Sequence, residues 1–375
     1  MGAKLRALSL FSGAGGMDIG VTQAGFNVLA SVEIDPNCCD TLREAVRRKR
    51  NKTKIYECDV RQLDPVQLMQ DLQFQRGELD LLFGGPPCQT FSQIGKQESL
   101  KDERGLLLFQ MARYTAVFRP KAILVENVKG LISAKDARGI TGGAFKLLLD
   151  DLESLGYVPK WQVINAAEFG VPQFRERVFI VATRKPNGFQ FPIPTHGKKT
   201  ESHQLFRLRD YMTAGEALRS LPPPVPKGME ASMENHVDVT PAGDKFRISG
   251  VPEGCHLAAQ LHLPAKQRGN LTRKDTTKFL RLSRDRPANT LRCGEIFFHP
   301  VENRYLTPRE YMRIHGYPDD YVLRGPIRGR SGQVRNLDQH RQVANSVPPP
   351  VAMAIAKEIV RLIKCQKSLS SLVTA

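Results

Sequence analysis

The stretch that decides the fold is LDLLFGGPPCQ, residues Leu79–Gln89. Its apolar run has the composition of a buried β-strand and stops at two glycines. Two prolines then fix the backbone and remove amide donors, so the turn is stiff. Open α/β sheets hold their ligands at the carboxyl ends of strands, where Cys88 is predicted to lie. A free thiol is usually a buried structural residue, but such a residue needs no scaffold of glycine and proline, so we interpret Cys88 as functional.

Composition narrows the class of protein. The chain has 375 residues, enough for one large domain or two ordinary ones. Lysine and arginine number 55 against 38 acidic residues, and the net charge of +17 favours a polyanionic partner, nucleic acid first. The seven cysteines are irregularly spaced with no Cys-x-x-Cys pair, which indicates reduced thiols in a cytosol-like compartment and no metal site. Neither a signal-peptide pattern nor a membrane-spanning apolar run is present, so we expect no membrane association.

The N-terminal segment has the pattern of a nucleotide-binding unit. Leu5–Leu10 predicts a buried strand, Phe11–Asp18 (FSGAGGMD) predicts a glycine-rich turn, and a helical pattern follows to Ala24. Free N–H groups at the start of such a helix can receive an anion, although a plain tight turn is the alternative. The spacing Gly-x-Gly-Gly differs from the dinucleotide fingerprint Gly-x-Gly-x-x-Gly, which disfavours a nicotinamide enzyme.

Acidic residues follow the next predicted strands. Val28–Val32 predicts a strand that ends at Glu33, and Ile55–Val60 predicts a strand end that carries Asp59. Glu33 is suited to accept hydrogen bonds from ribose hydroxyls, and Asp59 from an adenine amino group. Each acid alone is equally typical of a solvated strand end. Their common register with the glycine turn favours a nucleoside site.

Three further charged residues are candidates for chemistry. A buried strand over Lys121–Val125 ends in Glu126, on the predicted sheet edge of Cys88. Arg175 and Arg177 stand at i and i+2, so on a strand they face the same side and suit a phosphate or a base oxygen. Surface ion pairing is the alternative for the two arginines. The polar segment from Gln93 to Gly105 predicts a loop that closes over a substrate.

Six motifs occur in a fixed order along the chain. They are Phe-x-Gly-x-Gly-Gly from Phe11, Pro-Pro-Cys-Gln from Pro86, Glu-Asn-Val from Glu126, Gln-x-Arg-x-Arg from Gln173, Arg-Pro-x-x-Thr from Arg286 and Asn-Ser-Val-Pro-Pro from Asn345. In this set and order, the sequence resembles the cytosine-C5 DNA methyltransferases of prokaryotic restriction–modification systems.

The resemblance implies a fold and a division of the chain. The fold is an α/β, doubly wound, mostly parallel sheet of the S-adenosylmethionine-dependent methyltransferase type, with a smaller, loop-rich target-recognition domain. Residues 1–185 would be the catalytic and cofactor-binding domain, and 186–285 the target-recognition domain. Residues 286–375 would return to the catalytic domain and pack their C-terminal helix beside the first helix. The proline-rich, weakly periodic sequence after about Lys185 agrees with a separate small domain.

The resemblance also implies roles for single residues. Cys88 would be the nucleophile, Glu126 would contact the target base, and Arg175 with Arg177 would support base and backbone. S-adenosylmethionine would lie along Phe11, Gly13, Gly15, Gly16, Glu33, Ile34, Asp59, Pro86, Leu107, Asn345 and Ser346. No metal is implied.

The implied activity is transfer of a methyl group from S-adenosylmethionine to C5 of a flipped-out cytosine in a specific duplex DNA sequence, through a covalent bond between Cys88 and C6. We expect a cytoplasmic monomer whose partner is double-stranded DNA. Whether a companion restriction endonuclease exists, which would act separately, stays an open question. Transfer RNA is a rival substrate, but the Cys-Phe-Thr element of that family branch is absent. A non-catalytic regulator is a second rival, which the intact Cys88, Glu126 and Arg177 disfavour.

Overall fold

A computed structural model describes residues 4–87, 106–136, 138–184, 188–198, 208–259, 264, 279–328 and 335–373. Cys88 and the predicted closing loop from Gln93 to Gly105 lie outside the described residues. The chain divides into two compact units. The first unit comprises Met1–Asn165, Glu176–Ile193 and Val351–Ala375, and the second comprises Ala166–Arg175 and Pro194–Pro350. The assignment of 186–285 to target recognition stays a prediction.

The first unit is built on one sheet. Within the described residues it has seven strands in the order β3-β2-β1-β4-β5-β7-β6. Strands β1 to β5 are parallel, whereas β7 runs antiparallel to both β5 and β6. The strands are β1 Leu5–Leu10, β2 Phe26–Glu33, β3 Lys54–Glu57, β4 Leu81–Gly84, β5 Ala122–Val128, β6 Val158–Asn165 and β7 Glu176–Thr183. The prediction of a mostly parallel α/β sheet is confirmed.

Helices connect the parallel strands, as such strands require. They are α1 Gly16–Gln23, α2 Pro36–Lys49, α3 Pro65–Asp71, α4 Leu106–Phe118 and α5 Gly143–Ser154. Every residue of β4 is buried, and all of β5 except Val128, because a parallel sheet covered on both faces needs continuous apolar runs. The α2 helix begins where the Asp35 carboxylate accepts a hydrogen bond from the Cys38 amide at 3.0 Å, an N-terminal cap.

Strand order places the glycine-rich turn at a special point of the sheet. From β1 the chain proceeds outward to β2 and β3 on one side, and to β4 and β5 on the other. The turn after β1 therefore lies at the topological switch point. At such a point two neighbouring connections leave in opposite directions and open a crevice for a ligand.

The second unit consists of short elements. Its helices are Ala214–Leu218, Ala242–Ser249, Pro308–Ile314 and Gln339–Asn345, and its strand pairs are His196–Gly197 with Arg209–Asp210 and Val225–Pro226 with Val237–Asp238. Thr307 followed by Pro308 is a sequence pattern typical of a helix start, and the structure confirms it: the Thr307 hydroxyl accepts from the Glu310 amide, and the Glu310 carboxylate accepts from the Thr307 amide.

The C-terminal helix spans Pro349–Val373. One face of it is buried, with Val351, Ile355 and Ile359 at helical spacing. Its packing beside α1 stays a prediction. Among the described helices, none combines the length and apolar character that crossing a bilayer demands.

Candidate active site

The parallel strands bring most of the predicted site residues to one edge of the sheet in the first unit. Strands β1 to β5 end at Leu10, Glu33, Glu57, Gly84 and Val128, and parallel strands share their carboxyl edge. The predicted residues within or directly after these strand ends are Phe11, Gly13, Gly15, Gly16, Glu33, Ile34, Asp59, Pro86 and Glu126. Arg175, Asn345 and Ser346 belong to the second unit and are described with it.

Glu126 is a buried carboxylate at the end of β5, with 9 % of the residue exposed. Its Oε1 lies 3.1 Å from Nε of Arg177. The strand register explains the pair: Arg177 stands opposite Val128, so it is the diagonal neighbour of Glu126 across the antiparallel ladder. The guanidinium therefore orients the carboxylate at the sheet edge.

The Gly84–Pro87 segment packs tightly against the neighbouring strands. A side chain on Gly84 would place its Cβ 2.4 Å from the Leu10 carbonyl oxygen, and one on Gly85 would place it 3.2 Å from Oε2 of Glu126. The side-chain amide nitrogen of Asn127 donates to the Pro86 carbonyl at 2.9 Å. The absence of side chains at Gly84 and Gly85 therefore makes room for neighbouring strands of this chain and not for a ligand. The last residues before Cys88 are fixed beside Glu126.

The glycine-rich turn has a strained, left-handed backbone. Phe11, Gly13 and Gly15 have φ values of 54°, 53° and 75°, a region that glycine adopts freely and a phenylalanine rarely does. Gly15 is the N-cap of α1 and has no side chain to cover the helix end. A Cβ on Gly13 would meet no atom of the described residues within 4 Å. Open space therefore adjoins the turn.

Glu33 connects the turn to the end of β2. Its carboxylate accepts hydrogen bonds from the amides of Gly13 at 2.7 Å, Ile34 at 2.9 Å and Asp35 at 2.8 Å. Burial raises the pKa of Glu33, and the three amides oppose that shift. The neighbouring Ile34 is 37 % exposed. Leu107, in the first turn of α4, is partly buried against the core.

Asp59 is held by its own segment of chain. Its carboxylate accepts hydrogen bonds from the Arg61 backbone amide at 2.9 Å and from the Arg61 guanidinium at 2.6 and 3.1 Å. The predicted adenine acceptor therefore has an arginine bonded to it in this structure. Sequence reasoning did not find Arg61, although an arginine two residues after an acid is a visible signal.

Arg175 contradicts the prediction that the two arginines share one face of a strand. Strand β7 starts at Glu176, so Arg175 precedes the ladder and belongs to the second unit. Only 2 % of Arg175 is exposed. Its guanidinium donates to the main-chain carbonyls of Leu291 at 3.4 Å, Ala344 at 2.8 Å and Ser346 at 3.1 Å. Arg175 thus holds together three segments of the second unit.

Gln173 and His315 complete this buried group, which we call the carbonyl node (Gln173, Arg175, His315 and the carbonyls that they bind). The Gln173 side chain accepts from the Leu291 amide at 3.1 Å and donates to Nδ1 of His315 at 3.0 Å. Because Nδ1 accepts, Nε2 carries the proton that it donates to the Ser346 carbonyl at 3.0 Å. Sequence reasoning missed His315, because no local pattern marks a histidine whose hydrogen-bond partner Gln173 is 142 residues away in the sequence.

Asn345 and Ser346 lie at the end of the helix Gln339–Asn345. The Cys293 thiol donates to Oδ1 of Asn345 at 2.6 Å, and the Ser346 hydroxyl donates to the Val343 carbonyl at 2.8 Å. Asn345 is exposed and Ser346 is buried. Because Oδ1 of Asn345 faces the Cys293 thiol, the NH2 group of the same side-chain amide points away from Cys293 and can donate to another group.

Comparison with known proteins decides the family. The profile of the C-5 cytosine-specific DNA methylase family matches residues 5–361. The chain belongs to this family. Accordingly, the methylase is a DNA (cytosine-5-)-methyltransferase, which methylates C5 of cytosine in DNA, and its relatives are enzymes of restriction–modification systems.

Two such relatives and one solved structure illustrate the match. The methylase is 33 % identical over 365 residues to the Type II methyltransferase M.NgoFVII of Neisseria gonorrhoeae, covering 95 % of this chain and 87 % of that protein. It is 41 % identical over 228 residues to M.AquIA of a Picosynechococcus strain, covering 59 % of this chain and 90 % of that protein. A structure described as a DNA modification methyltransferase of an E. coli prophage has a TM-score of 0.69 at 22 % identity, covering 96 % of this chain and 99 % of that one, which shows the fold alone.

Proposed function

We propose that the methylase transfers the methyl group of S-adenosylmethionine to C5 of a cytosine flipped out of duplex DNA, through a covalent bond between Cys88 and C6. The hydrogen bond from Asn127 to the Pro86 carbonyl, at 2.9 Å, is the observation that supports it best. This bond fixes the chain two residues before Cys88, beside the buried carboxylate of Glu126. The mechanism needs a nucleophile at C6 and a proton donor at N3 of the same pyrimidine ring, and two groups held next to each other at one sheet edge suit that need.

The residues around the glycine-rich turn fit S-adenosylmethionine, which supplies an electrophilic methyl group on a sulfonium ion. Open space adjoins Gly13, and Ile34 offers an exposed apolar surface. A carboxylate has about four acceptor sites, so Glu33 can bind a ribose hydroxyl besides its three amides. The proposed binding set is Phe11, Gly13, Gly15, Gly16, Glu33, Ile34, Asp59, Pro86, Leu107, Asn345 and Ser346.

The chain's own residues account for the remaining chemistry. C5 of cytosine is a weak nucleophile, so the thiolate of Cys88 first adds to C6 and electron density moves toward C5 and N3. A protonated Glu126 donates to N3, and Arg177 holds the Glu126 side chain in position. After methyl transfer, C5 loses its proton to a base and the bond between C6 and sulfur breaks, which restores the ring and the thiolate. Cys88 can reach C6 only when the base has left the stack.

The remaining assignments concern partners. We propose duplex DNA as the substrate, residues 186–285 as the region that reads its sequence, and a cytoplasmic monomer that acts independently of any restriction endonuclease. The surplus of 17 positive charges supports a polyanionic substrate.

A mechanism-based trap tests the proposal. Bisulfite sequencing of DNA from a methylation-free host that expresses the methylase identifies the modified cytosine. A duplex with 5-fluorocytosine at that position, incubated with S-adenosylmethionine, should form a complex that survives denaturation, because fluorine at C5 blocks the loss of a proton. Peptide mapping should place the adduct on Cys88.

Matched variants and substrates sharpen the trap. Cys88→Ser should form no adduct and should still bind S-adenosylmethionine, whereas Cys58→Ser, a partly buried thiol of the same unit, should form the adduct normally. Methylation of the ordinary duplex without any adduct on Cys88 would disprove the covalent route. Labelled-methyl assays on duplex DNA and transfer RNA side by side test the substrate, and methyl incorporation into transfer RNA alone would disprove it.

A further inference from the structure

The first turn of α1 carries a carboxylate that joins three elements of the sheet unit. Asp18 accepts hydrogen bonds from the hydroxyls of Ser9 at 3.0 Å and Ser31 at 2.7 Å. Ser9 on β1 and Ser31 on β2 are direct partners in the parallel ladder, and each is 1 % exposed. One side chain therefore fastens the helix to both strands, immediately beside the glycine-rich turn.

A second link leads from this carboxylate into the turn itself. The Ser12 hydroxyl donates to Oγ of Ser9 at 2.8 Å, and the Ser12 amide donates to the Val32 carbonyl at 3.2 Å. Ser12 stands between Phe11 and Gly13, both of which have left-handed backbone angles. The hydrogen bonds thus run from Asp18 through Ser9 to the strained part of the turn.

Keeping a carboxylate at this place is costly. Burial raises the pKa of Asp18 to about 6, the two serine bonds oppose the shift, and the negative charge of Glu33 adds to it. An apolar contact between a helix and two strands would be the cheaper solution. Expensive ionisable groups cluster at functional sites, and this one adjoins the turn that the proposed cofactor requires.

We propose that Asp18 is a positioning residue, which acts through Ser9 and Ser12 to hold the glycine-rich turn in the conformation that receives S-adenosylmethionine. This inference rests on the proposed function. Gly13 and Gly15 give the turn many alternative conformations, and ordering them during binding would weaken affinity. A turn that is already fixed binds without that entropic loss.

Cofactor affinity of the full-length protein tests the inference. Isothermal titration with S-adenosylmethionine should give a dissociation constant about tenfold higher for Asp18→Asn and for Ser9→Ala than for the wild type. Ser12→Ala, which removes only the last link, should weaken binding about threefold. The KM for S-adenosylmethionine should rise in parallel, and the KM for DNA should stay unchanged.

A second buried aspartate supplies the control. Asp80 precedes β4 at the opposite edge of the sheet and accepts from the Arg6 amide at 2.7 Å and the Lys121 ammonium at 2.6 Å. Asp80→Asn should lower the melting temperature without changing the affinity for S-adenosylmethionine. If Asp80→Asn weakens binding as much as Asp18→Asn does, general loosening of the fold explains both and the inference is overturned.

Two other results would also overturn it. Affinity within twofold of the wild type for all three variants would make Asp18 a purely structural tie. A wild type that binds no S-adenosylmethionine would instead remove the proposed function, together with this inference. The melting temperature, measured for each variant, separates a folding defect from a binding defect. Its pH dependence also reports on Asp18: because the pKa of Asp18 is raised in the folded state, the wild type should lose stability as pH rises from about 4 to about 6. Asp18→Asn should lack this loss.

Discussion

Two arginines that stand two residues apart in one motif have opposite surroundings in the structure. Arg177, in the first unit, pairs with a carboxylate at 3.1 Å at the edge of the sheet. Arg175, in the second unit, is bonded to main-chain carbonyls inside the carbonyl node. The first contact orients a buried carboxylate at the carboxyl edge of the sheet, and the second binds segments of backbone. Closeness in a motif therefore does not imply a shared chemical role.

The difference arises from where the strand begins. Arg177 lies in the ladder of β7, opposite Val128, so its side chain is directed by the pleat toward Glu126. Arg175 lies before the ladder, and its amino groups donate to buried main-chain carbonyls. If this comparison is right, changes at the sheet edge should affect rate, and changes in the carbonyl node should affect stability.

The largest effect is expected for Glu126→Gln. This change removes a proton donor and keeps the shape, so kcat should fall about a thousandfold, within the ~10²–10⁴ range of general acid–base catalysis. Initial rates with saturating DNA and S-adenosylmethionine measure it. The control is Glu176→Gln, whose carboxylate pairs with Lys129 at the surface and whose loss should change kcat less than about twofold. A Glu126→Gln enzyme with normal kcat would remove the acid from the mechanism.

The second-largest effect is expected for Arg175→Met, which should lower the free energy of unfolding. The Leu291 and Ala344 carbonyls lose the Arg175 donor, whereas the Ser346 carbonyl keeps the bond from His315. Each unsatisfied buried group costs ~1–3 kcal/mol, so the free energy of unfolding should fall by about 2 kcal/mol or more. Urea unfolding measures it. Lys129→Met, which removes an exposed ion pair with Glu176, should cost less than about 1 kcal/mol. If Arg175→Met unfolds like the wild type but has lost kcat, Arg175 acts on the base after all.

Local signals explain which parts of the fold were predictable. The strand Leu5–Leu10 has the predicted bounds, and Thr307 caps its helix as the Thr-Pro pattern indicates. Each of these depends on residues within a few positions of one another. Parallel strands then place Glu33 and Glu126 on one edge whatever the details of packing.

Contacts between distant residues were not predictable. The bonds from Arg175 to Ala344 and Ser346 cross 169 and 171 residues, and His315 bonds to Gln173 across 142. No periodicity or motif encodes such partners, because they depend on how whole segments fold back.

Arg177→Lys is the smallest and most discriminating test of the comparison. Lysine keeps the positive charge but lacks the planar fork that fixes the orientation of a carboxylate. If Arg177 acts by orienting Glu126, kcat should fall about tenfold, which corresponds to ~1.4 kcal/mol of transition-state stabilisation, while the unfolding free energy and the KM for DNA stay the same. If Arg177 instead contributes only charge, the lysine enzyme should match the wild type. A double variant with Glu126→Gln separates the two, because an orienting residue has no further effect once its partner is disabled, and a residue that acts on the base independently lowers kcat again.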